Sequence, residues 1–164
     1  MRGAFQSLSA VGRRHSRARA ALEKLDVSRD VAYRPGGSGD HTLDVYRVKG
    51  LTTPAPIVLY VHGGGFRILS KDTHWLMAVA FARRGYVVFN INYRLAPAHP
   101  FPAAVEDASA ALAWVHANGA QYGGDTSRIV LAGESAGGNL VTALAVGCCY
   151  QRPEPYLRAL QDMP

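Results

Sequence analysis

A short apolar run, Ile129-Val130-Leu131-Ala132, leads without a break into Gly133-Glu134-Ser135-Ala136-Gly137-Gly138. No other stretch limits so narrowly what this chain can fold into. Branched aliphatic residues in succession suit a strand buried on both faces, and the residues that follow, 137–150, read as a helix. A serine bracketed by Gly133 and Gly137 is the nucleophile-elbow pattern, a tight strand-to-helix turn that holds a hydroxyl clear of the sheet. Small residues are needed there because strand and helix leave the turn at close quarters. Ser135 is therefore the candidate nucleophile, since a hydroxyl attacks only when it is held in line and relieved of its proton.

A second junction has the same character. Pro56-Ile57-Val58-Leu59-Tyr60-Val61 is an apolar, β-branched strand candidate that ends in His62-Gly63-Gly64-Gly65. Glycine amides unobstructed by Cβ atoms suit the collection of negative charge on an oxygen. Further strands are expected over residues 30–34, 41–48, 86–91 and 129–132, and helices over 18–25, 73–84, 103–118 and 137–150. In the 41–48 segment Leu43, Val45 and Arg47 alternate with Asp44, Tyr46 and Val48, so one face is only half apolar, as in an antiparallel pair at a sheet's margin. Residues 153–164 contain no recognisable closing element. Buried strands alternating with helices call for a parallel sheet covered on both faces.

The two glycine-rich junctions, with Asn92-Tyr93-Arg94-Leu95-Ala96-Pro97, His99-Pro100-Phe101-Pro102-Ala103-Ala104, Glu106-Asp107 and Gly124-Asp125-x-x-Arg128 in that order, resemble the α/β-hydrolase superfamily. Within it they look like the esterase and lipase family related to hormone-sensitive lipase. The resemblance implies an α/β-hydrolase fold, a mostly parallel sheet flanked by helices, with strand order 1-2-4-3-5 counted from the first strand. It further implies a carboxylic ester hydrolase for short to medium acyl chains, with Ser135 as nucleophile and the amides of Gly63, Gly64 and Ala136 as oxyanion hole. His62, Gly65, Arg94, Asp107, Gly133 and Gly137 would support the site structurally, with Arg94 paired to a carboxylate. His62 would brace the oxyanion loop rather than act as base. Asn92 and Glu134 stand where many relatives carry aspartate, and the first swap removes a charge partner for Arg94. His99 matches a positional role, and His41, His74 and His116 have no supporting context.

Enzymes with this elbow place the triad in the chain order serine, acid, histidine. Only 29 residues follow Ser135; their acids are Glu154 and Asp162, and no histidine is among them. The chain is thus expected to be the N-terminal half of such a domain, truncated after the elbow helix, with the strand carrying Ser135 left as an edge. Three accounts compete: a fragment of a longer esterase, a catalytically inactive hydrolase-like interaction protein, and one part of a two-chain assembly. A homodimer or a complementing C-terminal chain is the expected protein partner, and a small-molecule ester the expected substrate.

The net charge of +6 invites a nucleic-acid reading, but its distribution argues against one. Residues 1–25 carry six basic side chains against Glu23, whereas residues 26–164 hold 12 basic and 11 acidic ones. The basic character belongs to an N-terminal helical segment, 1–25, which in the resembling family contributes to a cap; the hydrolase half-domain is 26–164. No nucleic-acid module accompanies the charge, and no run of apolar residues is long enough for a membrane span. Cys148 and Cys149 are adjacent and without metal-ligand spacing, and read as packed thiols in a reducing, cytoplasmic compartment. Asp40, Asp44 and Asp125 lack metal spacing, and neither metal nor organic cofactor is expected.

Overall fold

The computed structural model of the protein describes residues 15–36, 38–150, 154–161 and 163. A five-stranded sheet carries the fold: β1 (Leu25–Ala32), β2 (Thr42–Val48), β3 (Ala55–Val61), β4 (Val87–Ile91) and β5 (Gly124–Gly133). The helices are α1 (Ser16–Leu22), α2 (Trp75–Ala82), α3 (Ala103–Asn118), α4 (Ala136–Cys149) and the short α5 (Arg158–Gln161). Residues 1–14, which hold half of the basic N-terminal segment read from the sequence, lie outside the described residues.

Strand order is β1-β2-β4-β3-β5, as the family resemblance implies. The expectation of a mostly parallel sheet needs correction, because the sheet is mixed: β3 runs parallel to β4 and β5, while β2 is antiparallel to both β1 and β4. Among the described residues, only the β3-to-β4 and β4-to-β5 links contain an α-helix, the crossover that parallel pairing requires.

Alternation along β3 explains why both faces are covered. Ile57, Leu59 and Val61 join a core with Val105, Leu112 and Val115 of α3 and Leu140 and Leu144 of α4. Val58 and Tyr60 point the other way, into a second core with Trp75, Ala78, Val79 and Ala82 of α2. A period of two on a strand buried on both sides produces this split.

Three segments differ from the sequence reading. The first strand begins at Leu25 rather than at 30, and α1 stops at Leu22. Leu25, which sequence periodicity assigns to a helical face, is buried and pairs with Val48 across the ladder. In β2, which forms the expected antiparallel pair with β1 at the sheet's margin, Asp44 is fully buried, and the Lys71 ammonium meets its carboxylate at 2.7 Å. The chain after Pro153 does form a closing element: Leu157 and Leu160 pack into the core on the α3–α4 side, and Leu160 lies against Gly147. Two leucines three apart give too short a pattern to announce a helix.

Candidate active site

Both glycine-rich junctions sit where parallel strands end, β3 at Val61 and β5 at Gly133, and these two residues are partners in the ladder. The register therefore delivers His62-Gly63-Gly64-Gly65 and Glu134-Ser135 to the same point on the sheet rim, where open α/β sheets form their clefts.

Ser135 is the N-cap of α4, with φ 51° and ψ −118°. Left-handed backbone at a residue with a Cβ costs on the order of 1–3 kcal/mol and persists only where its surroundings over-determine it. Here the surroundings are backbone. A Cβ at Gly137 would overlap the Val61 carbonyl oxygen and lie 2.7 Å from that of His62; one at Gly133 would sit 2.6 Å from the Gly137 carbonyl. Glycine at 133 and 137 thus lets strand, helix and the end of β3 meet main chain to main chain. Ser135 itself is exposed, and among the described residues no group hydrogen-bonds its hydroxyl.

The glycine turn abuts this elbow. A Cβ at Gly63 would lie 2.9 Å from the Glu134 carbonyl oxygen and 3.4 Å from Ser135 Cβ. Gly64 has φ 114°, and its carbonyl accepts from the Arg67 and Ile68 amides at 3.1 Å each. A side chain there would run into the Ile68 carbonyl. Gly65 is exposed with φ 59°. Ala136, buried in the first turn of α4, follows the serine directly.

Anchors on the far side of the turn fix where it lies. Lys71 is only 2 % exposed; its ammonium contacts Asp44 and Asp30 at 2.7 Å each, its amide donates to Asn92 Oδ1 at 2.8 Å, and its carbonyl accepts from Asn90 Nδ2 at 2.9 Å. Burial alone would lower the lysine pKa, but the hydrogen bonds that its ammonium donates to Asp30 and Asp44 outweigh it and raise the value above the ordinary one. Sequence reasoning passed over Lys71, since a single lysine in a loop carries no signal of its own.

His62 is buried, with Nδ1 at 2.7 Å from the Gly63 carbonyl and its ring stacked on Tyr93 at 4.4 Å. The Tyr93 hydroxyl donates to the His62 carbonyl at 2.9 Å, and burial pushes that phenol above its ordinary range. Arg94 grips Asp107 through Nε at 2.8 Å and Nη2 at 2.9 Å, and Glu106 through Nη2 at 2.8 Å. Asp107 is fully buried and also meets Arg34 at 2.7 Å and His41 at 3.1 Å. Asn92, read from the sequence as a lost partner for Arg94, instead bonds the Lys71 amide and the Gly39 carbonyl. His41, which had no sequence context, belongs to the Asp107 cluster.

His99 lines a cavity of about 280 Å³ between the glycine loop and α4, with Phe66, Phe101, Val105, Asn139 and Leu140 among its walls. Asp125, near the start of β5, binds Ser127 and Arg128 at 2.6 Å from each side chain. Cys148 and Cys149 are exposed free thiols rather than packed ones. Among the described residues no three His, Cys, Asp or Glu side chains are grouped to hold a metal ion, and no helix is long and apolar enough to cross a membrane.

A strained serine between strand and helix, met by a glycine turn from the neighbouring strand on a β1-β2-β4-β3-β5 sheet, defines the class. The chain belongs to the alpha/beta hydrolase fold family, whose sequence profile matches residues 58–160. It is 44% identical over 110 residues to carboxylesterase NlhH of Mycobacterium tuberculosis, covering 66% of this chain and 34% of that protein. Esterase LipI of the same organism is 49% identical over 92 residues, covering 56% of this chain and 29% of its own length. Among solved structures, a bacterial heroin esterase superposes with a TM-score of 0.73 at 33% identity, covering 88% of this chain and 45% of that one. Esterase LipW of Mycobacterium marinum does so with 0.71 at 34%, covering 90% and 45%. The chain thus spans about a third of the length of these curated relatives and under half of these solved chains.

Proposed function

We propose that this chain carries the nucleophile and oxyanion hole of a serine carboxylic ester hydrolase of the hormone-sensitive-lipase-like kind, acting on short to medium acyl esters. One observation carries the reading: the Gly63 backbone lies against Glu134 and Ser135, so a carbonyl carbon approached by Ser135 would have its oxygen beside amides of the glycine turn and of Ala136. In acylation the Ser135 oxygen adds to the ester carbon, charge collects on the carbonyl oxygen, and collapse expels the alcohol; water then releases the acid. Each oxyanion donor contributes roughly 3 kcal/mol to such a step. His62, Gly65, Arg94, Asp107, Gly133 and Gly137 hold the two turns in place. The relatives named as esterases support the reaction class.

The proton of Ser135 needs an acceptor, and none of the described residues touches its hydroxyl. In this reading a histidine and an acid reach the site from a complementing C-terminal segment or chain. The outer edge of β5, where Val130 is 46 % exposed, is the place for further strands or a second copy to pair. Residues 1–25 would contribute to a cap, with 26–164 forming the hydrolase half-domain, and two free thiols suit a reducing, cytoplasmic location. A second reading is a catalytically inactive interaction protein with the same cleft.

Stoichiometric folded protein exposed to a fluorophosphonate probe and to p-nitrophenyl acetate separates the two. With the complementing C-terminal segment supplied, the hydrolase reading expects a mass increase mapped to Ser135 and a burst of nitrophenol, both absent in Ser135→Ala. No adduct and no burst would leave the inactive reading.

A further inference from the structure

His74, on the segment that leaves the glycine turn, reaches the elbow. Its Nε2 lies 2.5 Å from Glu134 Oε1, and Glu134 is the residue immediately before the nucleophile. The protonation of the ring follows from its neighbours. Thr73 Oγ1 lies 2.7 Å from the Ser70 carbonyl, which can only accept, so the threonine proton points there. The same Oγ1 receives the Ser70 amide at 3.1 Å, and is left as an acceptor toward His74 Nδ1 at 2.9 Å; the Ser70 carbonyl is 3.2 Å from that nitrogen. Nδ1 therefore carries a proton. A bare Nε2 lone pair facing a carboxylate oxygen at this distance would be repulsive, so one proton lies between them in a short hydrogen bond.

Its surroundings hold the ring in that place. It stacks on His62 at 5.6 Å with Tyr60 at 6.3 Å on the β3 side, and its side chain is 12 % exposed. The Glu134 Cγ would lie 3.3 Å from a Cβ at Gly63, so the carboxylate side chain runs past the glycine turn on its way to the histidine.

We propose that His74 is a positioning residue for Ser135. Its ring, hydrogen-bonded through Nε2, holds the Glu134 side chain, and with it the elbow, against the Gly63–Gly64 turn, setting the spacing between attacking oxygen and oxyanion donors. The inference rests on the reading of Ser135 as nucleophile for its catalytic consequence, but not for the pair itself.

The test uses His74→Gln, Glu134→Gln, the double variant and Glu134→Asp, each checked for folding by circular dichroism. ¹⁵N-edited NMR is expected to show a downfield proton on the contact between His74 Nε2 and Glu134 in the wild type, which disappears in Glu134→Gln. The Ser135 and Ala136 amide resonances should shift in both single variants. Fluorophosphonate labelling of Ser135 should slow about tenfold in each single variant, as expected for a small misplacement of reacting groups. The double variant should be no slower than the slower single one, and Glu134→Asp should recover part of the rate. Absence of the downfield Nε2 proton in the wild type, unmoved elbow amides, or additive rate losses would overturn the proposal. Should wild-type Ser135 take no label even with the complementing segment supplied, the nucleophile reading fails, and the Nε2 proton and elbow amides alone decide for or against the pair.

Discussion

Alanine placed at two adjacent glycines should move stability in opposite directions. A Cβ at Gly137 would overlap the Val61 carbonyl oxygen and stand 2.7 Å from that of His62 and 2.8 Å from Val61 C. These atoms belong to the last residue of β3 and the one after it, and β3 is hydrogen-bonded to β4 on one side and β5 on the other, so they cannot retreat without moving the middle of the sheet. Overpacking against such a wall costs typically 1–3 kcal/mol, and the immobility of this one puts the value at about 3 kcal/mol. At Gly138 the nearest atom to a new Cβ is the Gly133 carbonyl oxygen at 3.6 Å, an ordinary contact. There the gain from restricting the unfolded backbone and from better helix propensity prevails, at about 0.5 kcal/mol in a first helical turn. For a domain of this size about 1 kcal/mol moves the melting temperature by roughly 2–4 °C. Thermal unfolding followed by ellipticity at 222 nm should thus show Gly137→Ala melting roughly 6–12 °C lower and Gly138→Ala roughly 1–2 °C higher. Equal stability of Gly137→Ala and wild type, or a loss at Gly138 matching that at Gly137, would refute the backbone-contact argument.

Gly64→Ala combines a φ of 114° with a clash on the Ile68 carbonyl, and should cut fluorophosphonate labelling of Ser135 by about a hundredfold while the melting temperature falls only a few degrees. Asp107→Asn leaves Arg94, Arg34 and His41 around a neutral group and should cost about 3 kcal/mol, read as an earlier urea midpoint with an unchanged slope. Burial, then the Glu134 charge, pushes the Tyr60 phenol from 10.0 up to about 12, and burial raises Tyr33 and Tyr93 further. Raised folded-state values mean that this stability is fully present below pH 10 and is lost as pH rises through about 12. Absorbance at 295 nm should accordingly show these three of the eight tyrosines ionising only as the fold melts, whereas one step near pH 10 for all eight with unchanged ellipticity would contradict their burial.

The sequence by itself determined the elements whose physics is local. Residues 103–118 alternate apolar and polar positions at helical spacing between prolines and Gly119, and the helix has those bounds. Val87–Ile91 and Ala55–Val61 are too apolar to lie anywhere but inside a sheet. A serine between glycines announced a strained turn because only that geometry demands small neighbours on both sides. Tertiary structure decided what depends on residues distant in the chain. Whether Asp44 faces water was settled by Lys71, 27 positions away; whether Leu25 belongs to helix or strand, by its pairing with Val48. The mixed character of the sheet came from β2 entering between β1 and β4, and His74 acquired its carboxylate only when β3 and β5 were laid side by side. Local preference acts through neighbours a few residues apart, whereas a buried charge or a shared sheet rim exists only once the chain has folded back on itself.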